Sequence, residues 1–113
     1  MKIDWKYGLE NLDEDWHSCG AAPPNSTAIA NAEIVLGIIS DLGRWPTRIA
    51  PSTAEAVCIA FENGKRYGDI ECYNDGDMCA IITDGKGPEI WQVFPADLKT
   101  DIQKIIDYVG IMV

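Results

Sequence analysis

Four acidic side chains lie close together in the stretch RYGDIECYNDGDM, which begins at Arg66. Asp69 and Glu71 are two residues apart, and Asp75 and Asp77 repeat that spacing. On a β-strand such a pair points to one side, where two carboxylates could bind a divalent cation or transfer protons. The pair could equally belong to an acidic surface that binds a protein, or be solvated strand residues.

The surrounding residues do not support a metal or catalytic site. A calcium loop needs acidic residues at alternate positions ending in Asp-Gly, and Tyr73 interrupts that register. The single histidine, His17, stands two residues from Cys19, where neighbouring side chains seldom converge with a third group as a nucleophile and its base must. The four cysteines contain no C-x-x-C pair of the kind that binds zinc. We expect no catalytic residue, no metal and no cofactor.

The composition indicates a single acidic domain. The chain has 113 residues, with 18 acidic and 9 basic side chains and a net charge of −9. Such a charge repels nucleic acid and anionic membranes and attracts basic protein surfaces. No apolar run reaches the ~20 residues that span a bilayer. The first residues contain no secretory signal, so we expect a cytoplasmic protein.

Local patterns divide residues 1–113 into an acidic head and two kinds of element. Residues 1–22 are irregular, and a helix is predicted over 25–43 between Asn25 or Ser26 and Gly43. Residues 55–94 alternate with a period of two and contain three glycine turns, which predicts an antiparallel meander. A second helix is predicted over 96–109 from its apolar stripe. The strands are expected at 55–62, 65–73, 78–83 and 89–94. The fold class is therefore α+β, a four-stranded meander with both helices on one face.

Two-residue turns at Asn63-Gly64 and Asp75-Gly76 assign the faces of this sheet. The first turn places Val57, Ile59, Phe61, Ile70 and Cys72 towards the core, where Gly68 gives a helix room to approach. The second turn sets Cys79 opposite Cys72, close enough for an oxidant to cross-link them. The face of Trp91 is left open. The side away from the helices then combines acidic, aromatic and apolar residues: Tyr67, Asp69, Glu71, Tyr73, Met78 and Ile82.

Mixed acidic and apolar residues on one face are typical of a binding surface. We interpret Tyr67, Asp69, Glu71 and Tyr73 as partner-binding residues because a merely solvated face would not need the apolar component. The head adds a second acidic group that could bind a basic groove: Asp13, Glu14 and Asp15.

Two segments resemble a known group of proteins. DWHSCGAAPPNSTAIANA resembles a W-x-x-x-G-x-x-P-P opening, and FENGKRYGDIECYNDGDMCAI resembles a strand–turn–strand block with a D-I-E-x-x-x-D-G core. Together they are similar to a diffuse group of small acidic proteins of bacteria and their mobile elements. The resemblance covers about half of the chain. It implies a compact domain and assigns no activity and no functional residue. An Asp usually follows the Trp of that opening, where this chain has His17.

These observations favour a non-enzymatic inhibitor that binds and blocks a basic, nucleic-acid-handling protein such as a nuclease. Antitoxins, immunity proteins and anti-CRISPR proteins share this physical profile. We expect no direct contact with nucleic acid or membrane. The alternative is a homo-oligomeric structural or housekeeping protein that buries the same face in a homodimer, and a small metal-dependent hydrolase is the third hypothesis.

Overall fold

The computed structural model describes residues 22–110. Its elements are helix α1 (Ser26–Asp41), strands β1 (Arg48–Ser52), β2 (Ala56–Asn63), β3 (Arg66–Tyr73), β4 (Met78–Thr83) and β5 (Glu89–Val93), a 3₁₀ turn (Pro95–Asp97) and helix α2 (Leu98–Val109). The strands form one antiparallel sheet in the order β1-β2-β3-β4-β5. The fold is α+β, but the sheet has five strands where the sequence predicted four.

A capping side chain marks the start of α1, and a left-handed glycine follows the end of each helix. Helix α2 has no side-chain cap and begins at Leu98, after the 3₁₀ turn and two residues later than predicted. The side chain of Asn25 accepts a 3.0 Å hydrogen bond from the amide of Ala28 and so caps the start of α1. Gly43 follows this helix with φ +76°, a left-handed conformation that glycine adopts without strain. Helix α2 ends in the same way at Gly110, where φ is +72°.

Within residues 22–110 no helix is long and apolar enough to cross a membrane.

The additional strand is β1, which pairs with β2 at one edge of the sheet. Its sequence RIAPS contains Pro51, and a proline inside a short run is a signal against a strand. Proline is nevertheless compatible with an edge strand, because an edge strand leaves part of its backbone unpaired. Three residues connect β1 to β2, and Glu55 closes this turn with φ +61°.

The β2–β3 register differs from the prediction by one full pleat. Asn63 pairs with Arg66, so Gly64 and Lys65 form the turn and Val57 lies opposite Cys72. A shift of two residues leaves every side chain on its predicted face. Val57, Ile59, Phe61, Ile70 and Cys72 are all buried in the core as expected.

The β3–β4 register differs from the prediction by one residue, which exchanges the two faces of β4. Asn74, Asp75 and Gly76 form a three-residue loop, which the amide of Tyr73 closes by donating a 2.9 Å hydrogen bond to the carbonyl of Asp77. The extra residue moves β4 by one position, and its faces exchange. Met78 and Ile82 therefore lie in the core, and the prediction that they face away from the helices is wrong. Cys79 lies opposite Glu71, so the expected pairing with Cys72 is also wrong.

The two helices contact each other and pack on one face of the sheet. Gly68 lets α2 approach β3 closely, because a Cβ atom there would lie 2.7 Å from Cγ2 of Ile105. Trp91 pairs with buried Ala80 and packs against the core on the helix side. We call the opposite side of the sheet, which carries Tyr67, Asp69, Glu71 and Tyr73, the outer face.

Candidate functional site

A strip of four alternating residues runs along β3 on the outer face. Strand geometry sends Tyr67, Asp69, Glu71 and Tyr73 to the same side, and the strip extends over about 20 Å. Both tyrosines and Glu71 are half-buried, whereas Asp69 is only 6 % exposed. Because β3 is the middle strand of the sheet, the strip lies at the centre of the outer face. The structure thus brings together the four sheet residues that the sequence predicted.

Asp69 is fixed by hydrogen bonds from two neighbours on the outer face. The hydroxyl of Tyr67 donates a 2.6 Å hydrogen bond to Oδ2 of Asp69. The thiol of Cys58, one strand away, donates to the same oxygen at 3.5 Å. The other oxygen, Oδ1, is buried and has no hydrogen-bond partner. Asp69 therefore holds the phenol of Tyr67 in place and is itself not offered to a partner.

Burial controls the protonation of these three groups. It raises the pKa of Asp69, and the hydrogen bond from Tyr67 acts in the opposite direction because it stabilises the carboxylate. Burial also raises the pKa of Tyr67. The pKa of the Cys58 thiol rises to about 12, first through burial and then through the negative charge of Asp69. A thiol held in its protonated form at neutral pH is a poor nucleophile.

Glu71 lies between two cysteines in the neighbouring row of the sheet. Cys58 is its partner on β2 and Cys79 is its partner on β4. Burial raises the pKa of Cys79, and Glu71 adds to the effect. The pKa of the adjacent Tyr73 hydroxyl rises to about 12 for the same two reasons. Glu71 is thus the accessible carboxylate at the centre of the strip.

Apolar and charged side chains surround the strip on the outer strands. Ile81 pairs with Asp69, and Ile90 pairs with Ile81, which extends an apolar row to the edge at β5. Arg48 lies at the other end of that row, opposite Ala60. Glu62 is opposite Tyr67 and adds a further negative charge. The outer face is therefore acidic with an apolar margin. Ile81 and Ile90 form this margin, whereas the sequence predicted Met78 and Ile82.

The structure places some of the predicted site residues at the surface, buries one of them and does not describe the others. Tyr67, Glu71 and Tyr73 reach the surface together, and Asp69 lies beneath it. Asp13, Glu14 and Asp15 lie outside the described residues. Cys79 and Ile81 belong to the outer face. Cys79 was predicted on the core side, because only the loop length at Asp75-Gly76 distinguishes the two registers. Cys58 was not among the predicted site residues, and the signal for it is alternation along β2, which sends it to the side opposite Val57 and Ile59.

Among residues 22–110 no three side chains of His, Cys, Asp or Glu are grouped so that they could hold a metal ion. Comparison of the chain with protein-family models, curated proteins and solved structures gave no match.

Proposed function

We propose that this chain is a non-enzymatic inhibitor that binds a basic, nucleic-acid-handling protein through its outer face and blocks it. The observation that carries the proposal is the strip along β3, in which the accessible carboxylate of Glu71 lies between Tyr67 and Tyr73. Tyrosines supply large contact area at low entropic cost, and a carboxylate among them can pair with arginine or lysine.

The anchoring of Tyr67 supports a binding role. Its 2.6 Å hydrogen bond to Asp69 fixes the ring before a partner arrives. A side chain that is already ordered loses less conformational entropy on association, so more of the contact energy appears as affinity. Such preorganisation has no use on a face that is only solvated.

The negative charge of the chain favours a basic partner. A net charge of −9 steers a basic protein towards the inhibitor. Proteins that handle nucleic acid carry basic grooves for phosphates, and an acidic, aromatic surface can occupy such a groove. Antitoxins, immunity proteins and anti-CRISPR proteins are the classes that fit this behaviour.

The proposal is tested by capture on the immobilised protein, followed by assay of the captured protein on nucleic acid. Glu71→Lys reverses the charge at the centre of the strip, and Asp41→Lys makes the same change at the exposed end of α1. We expect wild type and Asp41→Lys to retain and inhibit a basic protein, and Glu71→Lys to lose it. Equal capture by Glu71→Lys would contradict the proposal.

A further inference from the structure

The two edges of the sheet differ in how well they resist pairing with another strand. Edge β1 contains Pro51, which has no amide hydrogen, and the charged Arg48. These are features by which proteins block association of their edges. Edge β5 has the sequence EIWQV, with no proline or lysine, and pairs with β4 in unbroken register. Within residues 22–110 no strand lies beyond it. In the described part of the chain, the outer edge of β5 is thus left without a strand partner.

Two large apolar side chains are exposed at this edge. Ile90 is 60 % exposed and Phe94 is 53 % exposed. Phe94 directly follows β5 and keeps extended backbone angles, with φ −105° and ψ 149°. By the alternation of an extended chain, Ile90, Gln92 and Phe94 all point to the side of the outer face. Exposed apolar residues on an unblocked edge indicate an interaction surface.

We propose that β5 pairs with β5 of a second copy of this chain, antiparallel and about a two-fold axis at Gln92. Ile90 and Phe94 are equally spaced on either side of Gln92, so this axis sets Ile90 of each copy against Phe94 of the other. Trp91 then faces Val93, and Gln92 faces its own equivalent. Each exposed apolar side chain covers the other, as the self-complementarity of a two-fold interface requires.

The charges at the edge permit this pairing in spite of the net charge. None of the residues that would face each other, from Ile90 to Phe94, is charged. Glu89, the one acidic residue of β5, is bound by Nζ of Lys104 at 2.8 Å. The same Nζ lies 4.3 Å from the ring centre of Trp91. The remaining repulsion acts between whole molecules at long range, and salt screens it.

The extent of the contact indicates a weak dimer. Covering the exposed half of Phe94 removes on the order of 100 Å² of apolar surface per copy from water. The other residues of a paired strand bury only a small further area. Stable dimers bury more than about 1,000 Å². We therefore expect an equilibrium between monomer and dimer that depends on protein concentration and strengthens with added salt.

The arrangement has a consequence for the outer face. The local two-fold axis of an antiparallel strand pair is perpendicular to the sheet, so the helices of both copies lie on one side and both outer faces on the other. The dimer would present two acidic strips on one continuous sheet. A partner with two basic sites, or a dimeric partner, could then bind both.

Sedimentation velocity over a concentration series tests the pairing. We expect Ile90→Lys and Phe94→Glu each to lower the association constant about tenfold, because the substitution occurs twice in a two-fold interface. Combined in one chain, the two substitutions place opposite charges against each other and should restore association. Ile34→Lys changes a residue on α1 that is 57 % exposed and serves as the control. Circular dichroism checks that each variant is folded.

Three results would overturn the inference. One is a wild-type chain that stays monomeric up to millimolar concentration at high salt. Another is an association that Ile90→Lys leaves intact while Ile34→Lys abolishes it. The third is a double variant that associates no better than the single variants.

Discussion

The hydroxyl of Tyr67 donates a 2.6 Å hydrogen bond to Oδ2 of Asp69, two residues further along the same strand. This contact joins a half-exposed aromatic ring to a buried carboxylate at the centre of the outer face. Under the proposed function, Asp69 would position Tyr67 and would not itself contact the partner. The surface that a partner would meet consists of Tyr67, Glu71 and Tyr73.

The contact can be removed by Tyr67→Phe, which keeps the ring and deletes the donor. Oδ2 of Asp69 then keeps only the thiol of Cys58, so we expect the free energy of unfolding to fall by about 1–2 kcal/mol. The pKa of Asp69 should rise further, because the lost bond stabilised the carboxylate. Urea unfolding and a carboxyl NMR titration measure the two effects. Tyr108→Phe is the control, and equal loss in both variants would contradict the assignment.

Asp69 also makes stability depend on pH. Its pKa lies above the ordinary value of 3.8 in the folded protein, so the folded state holds this proton more tightly than the unfolded chain. The contribution is fully present below pH about 4 and is lost as the pH rises through the folded pKa. Asp69→Asn cannot ionise and should lack this decrease. Unfolding free energies of both proteins across the acidic range test this, and curves that stay parallel would refute it.

The contact between β3 and α2 depends on the absence of a side chain at position 68. Gly68→Ala would place Cβ 2.7 Å from Cγ2 of Ile105 and 3.2 Å from Cγ2 of Val109. We expect a loss of about 1–3 kcal/mol from this overpacking. Gly37→Ala meets no atom within 4 Å in the middle of α1, and should raise stability by up to about 1 kcal/mol. Thermal unfolding of both variants measures the difference, and a neutral Gly68→Ala would contradict the packing.

Cys72 and Cys79 lie on opposite faces of the sheet and should not form a bridge. Cys72 points into the core and Cys79 lies on the outer face, so the prediction of a cross-link from the sequence is reversed. In a Cys19→Ser background we expect mild oxidant to leave both thiols free. Cys79 should react with a thiol reagent first, because Cys58 and Cys72 both have a pKa of about 12. Peptide mapping that finds a Cys72–Cys79 bridge would show the β3–β4 register to be incorrect.

Local signals were sufficient for the helices and for the β2–β3 faces. Caps at Asn25 and Gly43 gave the bounds of α1, and the apolar spacing from Leu98 to Val109 gave the buried stripe of α2. The faces of β2 and β3 were predicted correctly in spite of an incorrect register, because a shift of two residues leaves each side chain on the same face. These features depend on neighbours in sequence, which is why the sequence alone contains them.

The β3–β4 register depends on a tertiary contact that the sequence does not display. Asp-Gly suits both a two-residue turn and a longer loop with a left-handed glycine at its end. The longer loop frees Asn74, whose Oδ1 accepts from the amide of Asn25 at 2.9 Å and whose Nδ2 donates to the carbonyl of Pro23 at 3.1 Å. This docking of the loop on the start of α1 favours the three-residue form. The burial of Asp69 likewise results from its position on the central strand between Ala60 and Ile81, and not from its neighbours in sequence.

The affinity of Glu71→Lys for a basic partner is the sharpest test of whether the outer face is the binding surface. With the captured partner purified, the dissociation constants of wild type, Glu71→Lys and Asp41→Lys are determined at several salt concentrations. We predict that Glu71→Lys weakens binding at least tenfold, about 1.4 kcal/mol, and that Asp41→Lys stays close to wild type. If the two charge reversals weaken binding equally, only the net charge matters and the outer face is not the binding surface.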